Sequence, residues 1–244
     1  MIASARLVQQ ACSQCALAHL CLPYGLDSDE IARLESQIIP DISIKAGHDL
    51  FVQGDPLAAF YAITEGGFKT AVFDTDGLEQ IMGFYFAGDL LGLDALGDET
   101  HRCTATAIEN GTVCRLPFDQ IDNLLTQLPS LRRRLMRLMS RALTDEEHQL
   151  LTLGRKSSEG RVATVLLDFS QRLAMRNLDS SIVPLNMKRT DLANYLGMRV
   201  ETISRVLGRF QSKGILNSTR KEVEIHDWLA LRAYAGSGAW VADQ

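Results

Sequence analysis

Three cysteines lie close together near the start of the chain, in the stretch CSQCALAHLC. They are Cys12, Cys15 and Cys21, and the other two cysteines of the chain are Cys103 and Cys114. Thiolates bind soft metals, and both iron–sulfur clusters and structural zinc ions are commonly held by four of them. A fourth ligand would have to come from another part of the fold, so the spacing alone leaves an iron–sulfur cluster, a zinc site and a redox disulfide open.

Zinc is the main alternative on spacing alone, because Cys-x2-Cys is a common half of a tetrahedral zinc site. His19 could take the place of one thiol in such a site. Cys103 follows His101 and Arg102 at a predicted strand, and we expect it to be a buried structural thiol rather than a ligand.

The bulk composition is that of a soluble globular protein of 244 residues, with 46% hydrophobic and 23% charged residues and a formal net charge of −5. The sequence has no apolar run long enough to span a membrane, and its N-terminus lacks the apolar core of a signal peptide. We therefore expect a cytoplasmic protein with no membrane partner. In that reducing compartment, the cysteines are expected to bind a metal or to be redox-active rather than to form a structural disulfide framework.

The region from Lys45 to about Leu116 alternates short apolar runs with turns. The runs DLFV, FYAIT, FKTAVF and IMGFYF are rich in aromatic and β-branched residues. This pattern predicts an all-β barrel or sandwich with hairpin turns.

A long helix is predicted next, beginning at Pro129 and ending at Gly154. Along it runs a seam whose members are spaced three and four residues apart, which indicates a helix that packs on another helix. The members of this seam are Met136, Met139, Leu143, Glu146, Leu150 and Leu153.

Glu146 is the one charged member of the seam. In a parallel homodimer its carboxylate would face its own copy, so we expect repulsion to keep the metal-free protein mainly monomeric. The alternative is that Glu146 lies at the edge of the seam and pairs with Arg141 or Arg137.

The segment RTDLANYLGMRVETISRVLGRF, residues 189–210, has the spacing of a helix-turn-helix. Ala193 gives a small contact where two helices cross, Gly197 permits the turn, and Ile203 anchors the second helix. Such a second helix fits the DNA major groove, where arginine, serine and glutamate can read base edges. The outward residues of this helix are predicted to be Val200, Glu201, Ser204, Arg205 and Arg209.

Charge supports a DNA-binding role for this part of the chain. Residues 184–221 contain eight basic residues and two acidic ones, a local net charge of +6 in a chain of net charge −5. A local positive patch of this kind attracts DNA phosphates. The following stretch, GILNSTRKEVEIHD, predicts a turn and a short β-hairpin that would form a wing beside the helices.

The order of these parts resembles the CRP/FNR family of bacterial transcription regulators. Within that family the sequence is similar to the FNR branch, the oxygen-responsive iron–sulfur regulators. ANYLGMRVETISRVLGRFQ is close to that branch's recognition segment, GNYLGLTVETISRLLGRFQ, and the Cys-x2-Cys-x5-Cys motif and VCRLPF around Cys114 also match. The resemblance covers nearly the whole chain. It implies an α+β fold with an N-terminal double-stranded β-helix of the cyclic-nucleotide-binding type (a β-roll), a long dimerisation helix and a C-terminal winged helix-turn-helix.

The resemblance also implies a cofactor and a mode of action. One [4Fe-4S] cluster would promote homodimerisation and DNA binding, and oxygen would destroy the cluster and inactivate the regulator. The ligands carried over from the family are Cys12, Cys15, Cys21 and Cys114.

The partners implied by the resemblance are double-stranded DNA, a second copy of the chain and RNA polymerase, and the protein is expected not to be an enzyme. The DNA target would be a palindrome close to TTGAT-N4-ATCAA. The recognition residues carried over are Glu201, Ser204 and Arg205, with Val200 beside them and Arg199 immediately before.

Three positions depart from the family pattern. Arg199 stands where threonine is frequent, and arginine cannot cap the recognition helix and opposes its dipole, so a DNA phosphate is expected to compensate. Leu78 replaces an acidic residue in a turn that contacts RNA polymerase in relatives, which weakens the expectation of activation through that contact. Leu93 stands in place of a ribose-binding glutamate, so no cyclic nucleotide is expected to bind although Arg102 remains.

The expected segments are residues 1–24 for the cluster ligands, 25–120 for the β-roll, 121–154 for the dimerisation helix region and 155–244 for the winged helix-turn-helix domain. A zinc- or ligand-controlled regulator without a cluster is the alternative within DNA binding. An iron–sulfur electron carrier is the alternative from another class, and it would need neither a recognition helix nor a basic patch.

Overall fold

The structure, a computed structural model, describes residues 12–236. Residues 1–11 of the predicted cysteine segment and residues 237–244 at the other end lie outside the described residues. The described chain forms two compact units. One contains the residues up to Glu79 together with Gly83–Met139, and the other contains Gln80–Met82 together with the residues from Ser140 onward.

Eight strands form two antiparallel four-stranded sheets with the orders β1-β8-β3-β6 and β2-β7-β4-β5. All four strands predicted from apolar runs are present as β2, β3, β4 and β5, because aromatic and β-branched side chains fit a pleated, half-buried surface. The strands are β1 (Ile39–Ile44), β2 (Asp49–Phe51), β3 (Ala59–Glu65), β4 (Gly67–Phe73), β5 (Glu79–Phe86), β6 (Leu90–Leu91), β7 (Thr104–Ala107) and β8 (Gly111–Pro117).

The turn between β3 and β4, which lie in different sheets, is at Gly66, whose φ is +80°. A Cβ atom at this position would lie 2.7 Å from the backbone oxygen of Asn110, so both the conformation and the space require glycine. The turn therefore lies directly against the start of β8.

Three α-helices accompany the sheets: α1 (Ser28–Glu35), α2 (Phe118–Gln127) and α3 (Pro129–Arg155). A short 3-10 helix, Cys12–Gln14, precedes α1, and a second one covers Leu93–Ala95. One hydrophobic core joins the cysteine segment, the β-roll and the start of α3 through Leu22, Phe60, Leu116 and Leu131.

The long helix α3 begins at Pro129 as predicted, but the prediction that Gly154 ends it was wrong by one residue. Gly154 lies inside the helix, and the last helical residue is Arg155. The guanidinium of Arg161 donates a 2.6 Å hydrogen bond to the carbonyl oxygen of Leu153. This bond satisfies a carbonyl at the helix end, which is the need that a left-handed glycine cap usually meets.

The second unit has the order α4 (Ser158–Met175), β9 (Ile182–Pro184), α5 (Arg189–Tyr195), α6 (Val200–Ser212), β10 (Leu216–Ser218), β11 (Glu222–Ile225) and α7 (Trp228–Ala235). The strands form one antiparallel sheet in the order β10-β11-β9. The predicted hairpin wing is therefore confirmed, and β9 completes it as a third strand that the sequence analysis did not identify. The expected fold class, a β-roll, a long helix and a winged helix-turn-helix, is confirmed.

None of the helices within residues 12–236 combines the length and the apolarity that a membrane span requires.

Candidate metal centre and DNA-reading surface

Four of the five cysteines line one small pocket of about 40 Å³. Cys12, Cys15 and Cys21 come from the segment before α1, and Cys114 comes from the middle of β8, where it pairs with Ala62 of β3. All five cysteines of the chain lie within the described residues, and all five are free thiols. The structure thus brings together the four cysteines that the family resemblance selected.

Burial dominates the chemistry of these thiols. It raises the pKa of Cys12 and of Cys21 to about 12, and it raises the pKa of Cys114 as well. The neighbouring cysteines add to each shift, because several thiolates at one site repel one another. In the metal-free protein these thiols are therefore protonated at neutral pH, and binding a metal releases their protons.

Two backbone amides are directed at the sulfur atoms. The amide of Leu22 donates to Cys21 and the amide of Asp41 donates to Cys114, and each bond lowers the pKa of its thiol. Asp41 reaches Cys114 because β1 is irregular between Ile39 and Ile42, and Asp41 itself has a φ of +58°. No sequence signal pointed to Asp41, since a bulge depends on how two distant strands pair.

In the described part of the chain, no three His, Cys, Asp or Glu side chains converge where they could hold one metal ion. What the pocket provides is a set of four soft thiol donors, apolar walls that include Leu17, Ile38 and Leu116, and amides directed at two of the sulfurs. Cysteine thiolates with amide hydrogen bonds to sulfur are the environment that iron–sulfur clusters use. The types of donor therefore fit a four-cysteine iron–sulfur cluster, while the side chains as they stand are not gathered around a single metal ion.

Cys103 lies elsewhere, in a second hydrophobic core with Phe51 and Ile63. Its side chain is buried, and its thiol lies 3.4 Å from the carboxylate of Asp94. The same carboxylate accepts from the amide of Arg102 at 2.9 Å. These contacts are those of a structural thiol, as expected.

The two residues at the predicted cyclic-nucleotide position, Arg102 and Leu93, both contact other residues of their own unit. The side chain of Arg102 forms an ion pair with Asp98 and is 68% exposed. Leu93 packs against the main core next to the left-handed Gly92. Leu78 lies in the turn between β4 and β5 and is also strongly exposed.

The seam of α3 has a clear pattern of exposure. Met136, Leu143 and Leu150 are 62%, 63% and 70% exposed, and Met139 is 37% exposed. Leu153 is half-buried. Glu146 is exposed, and within the described chain it forms no ion pair with Arg141 or Arg137. A row of large apolar side chains left uncovered on a long helix indicates a surface for a second helix.

The helix-turn-helix core is built as the sequence predicted. Leu192, Ala193, Leu196, Ile203 and Val206 are all buried. Gly197 has a φ of +58°, which supplies the turn between α5 and α6. Because this motif depends on local spacing along two helices, its core could be identified without knowledge of distant contacts.

The exposed face of α6 carries most of the predicted reading residues. Glu201, Ser204, Arg205 and Arg209 are exposed, and Val200 is half-buried as the first residue of the helix. Ser204 donates to the carbonyl oxygen of Val200, and Arg205 donates to the hydroxyl of Thr202. These side chains can be redirected to a partner with the loss of only single, solvent-accessible hydrogen bonds.

Two arginines of this surface differ in their surroundings. Arg199 occupies the N-cap position of α6 and makes no side-chain capping bond, as expected for arginine. Arg209 forms an ion pair with Glu159 of α4. Arg209 is therefore engaged inside its own unit, which its position in the sequence did not indicate.

Arg161 of α4 is a further residue that sequence reasoning missed. Besides the carbonyl oxygen of Leu153, its guanidinium donates to the carbonyl oxygen of Leu196 at 2.9 Å, and its Nε donates to that of Lys156 at 3.2 Å. Leu196 immediately precedes the turn glycine, Gly197. Arg161 thus ties the end of α3 to the turn of the helix-turn-helix.

The β-roll, the uncovered seam and the winged helix-turn-helix define a class of protein: a DNA-binding regulator that carries a β-roll unit. Comparisons with known proteins agree. The family model described as "Crp-like helix-turn-helix domain" matches residues 160–234, and the one described as "Cyclic nucleotide-binding domain" matches residues 41–127. The chain belongs to the CRP/FNR family of transcription regulators, in its FNR-type branch, and this is a family of regulators rather than of enzymes.

Relatives match over nearly the whole length. The "Transcriptional activator protein anr" of Pseudomonas aeruginosa is 41% identical, over 94% of this chain and 94% of the relative. The "Fumarate and nitrate reduction regulatory protein" of Escherichia coli strain K12 is 40% identical, over 92% of this chain and 90% of the relative. Among solved structures, FixK2 from Bradyrhizobium japonicum matches with a TM-score of 0.75 and 26% identity, covering 82% of this chain and 98% of that one.

Proposed function

We propose that this chain is an oxygen-responsive transcription regulator whose active form carries a [4Fe-4S] cluster on Cys12, Cys15, Cys21 and Cys114. The observation that carries the proposal is that these four thiols line one pocket although Cys114 is more than ninety residues away from the others in the chain. The match to FNR-type relatives over more than nine-tenths of the chain supports the same assignment.

Different residues of the pocket would have different roles in binding such a cluster. The four cysteines would supply the thiolates, and the amides of Leu22 and Asp41 stabilise the negative charge on Cys21 and Cys114. Leu17 and Leu116 keep water away from the site. When bound, an iron–sulfur cluster supplies a redox-active centre that oxygen can degrade.

The seam of α3 is proposed to form the homodimer. Met136, Leu143 and Leu150 would pack against their own copies, since their side chains are large, apolar and exposed in the single chain. Two facing Glu146 carboxylates would oppose this association. A shift of a few kcal/mol caused by the loaded cysteine pocket would then be enough to change the population from monomer to dimer.

DNA reading is proposed for the exposed face of α6. Glu201, Ser204 and Arg205 would contact base edges, and a two-fold dimer would read a palindrome of the FNR type, close to TTGAT-N4-ATCAA. Arg199 is placed to contact a phosphate at the edge of the groove. The proposed setting is the cytoplasm, and the proposed output is activation through RNA polymerase, as the names of the relatives indicate for those proteins.

The test is to purify the protein without oxygen, measure its visible spectrum and its iron, sulfide and zinc content, and then admit air. We expect a brown protein that dimerises in sedimentation and binds the palindrome, and that loses colour, iron, dimer and DNA binding together in air. Cys114→Ser should abolish the colour, whereas the matched variant Cys103→Ser should retain it.

Two outcomes would contradict this proposal. A colourless protein that contains zinc would exclude the cluster and favour a zinc-controlled regulator. A brown protein that keeps its spectrum and its DNA affinity for hours in air would retain the cluster but exclude the oxygen response.

A further inference from the structure

One arginine of α3 is buried against the cysteine segment. Arg134 is 3% exposed, whereas its neighbours Arg132 and Arg133 are exposed on the same helix. A buried guanidinium needs several hydrogen bonds to offset the loss of its hydration. Its surroundings therefore reveal which part of the chain it holds.

The contacts of Arg134 go to the last residues of the cysteine motif. Its Nε donates a 2.9 Å hydrogen bond to the carbonyl oxygen of Cys21, and one Nη donates to that of Leu20. Its guanidinium also lies over the ring of Tyr24, 5.1 Å from the ring centre. Three residues at the end of the segment, Leu20, Cys21 and Tyr24, thus contact one side chain of α3.

Apolar contacts reinforce this attachment. Leu22, which follows Cys21, is buried in the same core as Leu131 and Leu135 of α3, on either side of Arg134 along the helix. Cys21 and Cys114 pack against that core as well. The backbone around Cys21 therefore cannot move without disturbing the first half of α3.

The dimer seam begins two residues after Arg134, at Met136, and continues at Met139. Side chains two positions apart on a helix point to nearly opposite sides. Arg134 therefore faces the cysteine pocket while Met136 faces solvent, and a rotation or shift of this helical turn would move both.

We propose that Arg134 is a positioning residue that fixes the Cys21 end of the cysteine segment to α3 and so transmits the state of the pocket to the dimer seam. This inference rests on the proposed function, because it names the contact through which cluster binding would affect dimerisation. The guanidinium is suited to this role because its planar, rigid fork holds two adjacent carbonyl oxygens at once. Four thiolates in the loaded pocket would also attract this cation.

The decisive measurement is a ratio. The dissociation constant of the dimer is determined by sedimentation for the loaded protein and again after cluster removal, and the cluster-free value is divided by the loaded value. For Arg134→Gln this ratio should fall at least five-fold, which lies in the usual range of coupling between two sites. Arg133→Gln, on the exposed side of the same turn, should leave the ratio unchanged, and Arg134→Lys should give an intermediate value.

A purely structural role of Arg134 would weaken the loaded and cluster-free dimers equally and leave the ratio unchanged, and that result would overturn the inference. Hydrogen exchange of the cluster-free protein gives an independent readout. Amides of residues 15–24 should exchange at least ten-fold faster in Arg134→Gln than in the parent, and equal rates would also overturn the inference. If Arg134→Gln does not fold, the dissociation-constant ratio and the exchange rates are both measured on Arg134→Lys instead.

The two proposals can fail separately. A parent protein without iron refutes the proposed function, whereas the exchange comparison in the same protein still decides whether Arg134 holds the segment. A parent that contains iron but shows no change in Arg134→Gln refutes the role of Arg134 alone.

Discussion

One residue, Arg199, limits the stability of the DNA-reading helix α6 in the DNA-free protein. The N-cap residue of α6, Arg199, has the extended backbone of a cap but no side-chain acceptor for the free amides that follow. Its positive charge also lies at the positive end of the helix dipole. The first turn of α6 is therefore less stable than it would be with serine, threonine or aspartate at the N-cap. A DNA phosphate oxygen could accept hydrogen bonds from the free amides and also pair with the Arg199 cation.

Arg199→Thr tests this compensation. Threonine should cap α6 and raise the free energy of unfolding by about 1 kcal/mol, measured by urea denaturation. If Arg199 contacts a phosphate, the slope of log affinity against log salt should become shallower by about 0.9, measured by fluorescence anisotropy on the palindrome.

The preference for the palindrome over a scrambled duplex should be unchanged by this substitution, because phosphate contacts carry no sequence information. Arg220→Gln, in the wing, is a control for the stability effect, since Arg220 is exposed and caps no helix. A lower stability of Arg199→Thr or an unchanged salt slope would contradict the interpretation.

At the scale of elements, the end of α3 and the turn of the helix-turn-helix share one anchor. Arg161 donates to the carbonyl oxygens of Leu153 and Leu196, and Gln149 of α3 donates to that of Tyr195 at 2.9 Å. The last turn of the seam helix and the first helix of the DNA-reading motif are therefore held by side chains rather than by a chain connection. Buried carbonyls that lose such donors become costly.

Arg161→Gln should lower the free energy of unfolding of the second unit by about 1–3 kcal/mol, because several part-buried carbonyl oxygens lose their partner. The measurement is urea denaturation followed by tryptophan fluorescence, since Trp228 belongs to this unit. DNA affinity should fall while the salt slope remains the same, because Arg161 is engaged with backbone carbonyls. Arg155→Gln, exposed at the end of the same helix α3, is the matched control and should change neither quantity. A destabilisation equal in the two variants would exclude the anchor.

At the scale of the whole molecule, two opposing features act on association. The apolar seam favours a dimer, and the exposed Glu146 in its second half opposes one if the helices pair in parallel. Burial of apolar surface stabilises the dimer, and repulsion between two carboxylates destabilises it. Because these two contributions oppose each other, a modest change in α3 can shift the equilibrium between monomer and dimer.

Glu146→Ala is expected to dimerise without the cluster. Its dissociation constant in cluster-free form should be at least ten-fold lower than that of the parent, measured by sedimentation equilibrium. Glu147→Ala removes the same charge one position away from the seam and should remain as monomeric as the parent. If Glu146→Ala is also as monomeric as the parent, repulsion at the seam does not control assembly.

Local sequence patterns were sufficient to predict much of the fold. The strands β2 to β5, the start of α3, and the small, glycine and apolar positions of the helix-turn-helix follow from periodicity and turn residues, which act between neighbours in the chain. The spacing of the first three cysteines did not identify the fourth ligand and did not distinguish zinc from an iron–sulfur cluster. The family resemblance identified Cys114 as the fourth ligand and favoured the cluster.

Only the tertiary structure decided which distant residues meet. Cys114 lines the pocket and Cys103 lies in the other core because strand pairing sends one side chain of the β-roll toward Leu22 and the other toward Phe51. The chain has many arginines, and packing alone selected Arg134 for the cysteine segment, Arg161 for the helix end and Arg209 for Glu159. The bulge that turns the amide of Asp41 toward Cys114 likewise depends on the register of β1 against β8. Such contacts arise from pairing and burial between segments far apart in the chain, which local sequence preferences do not encode.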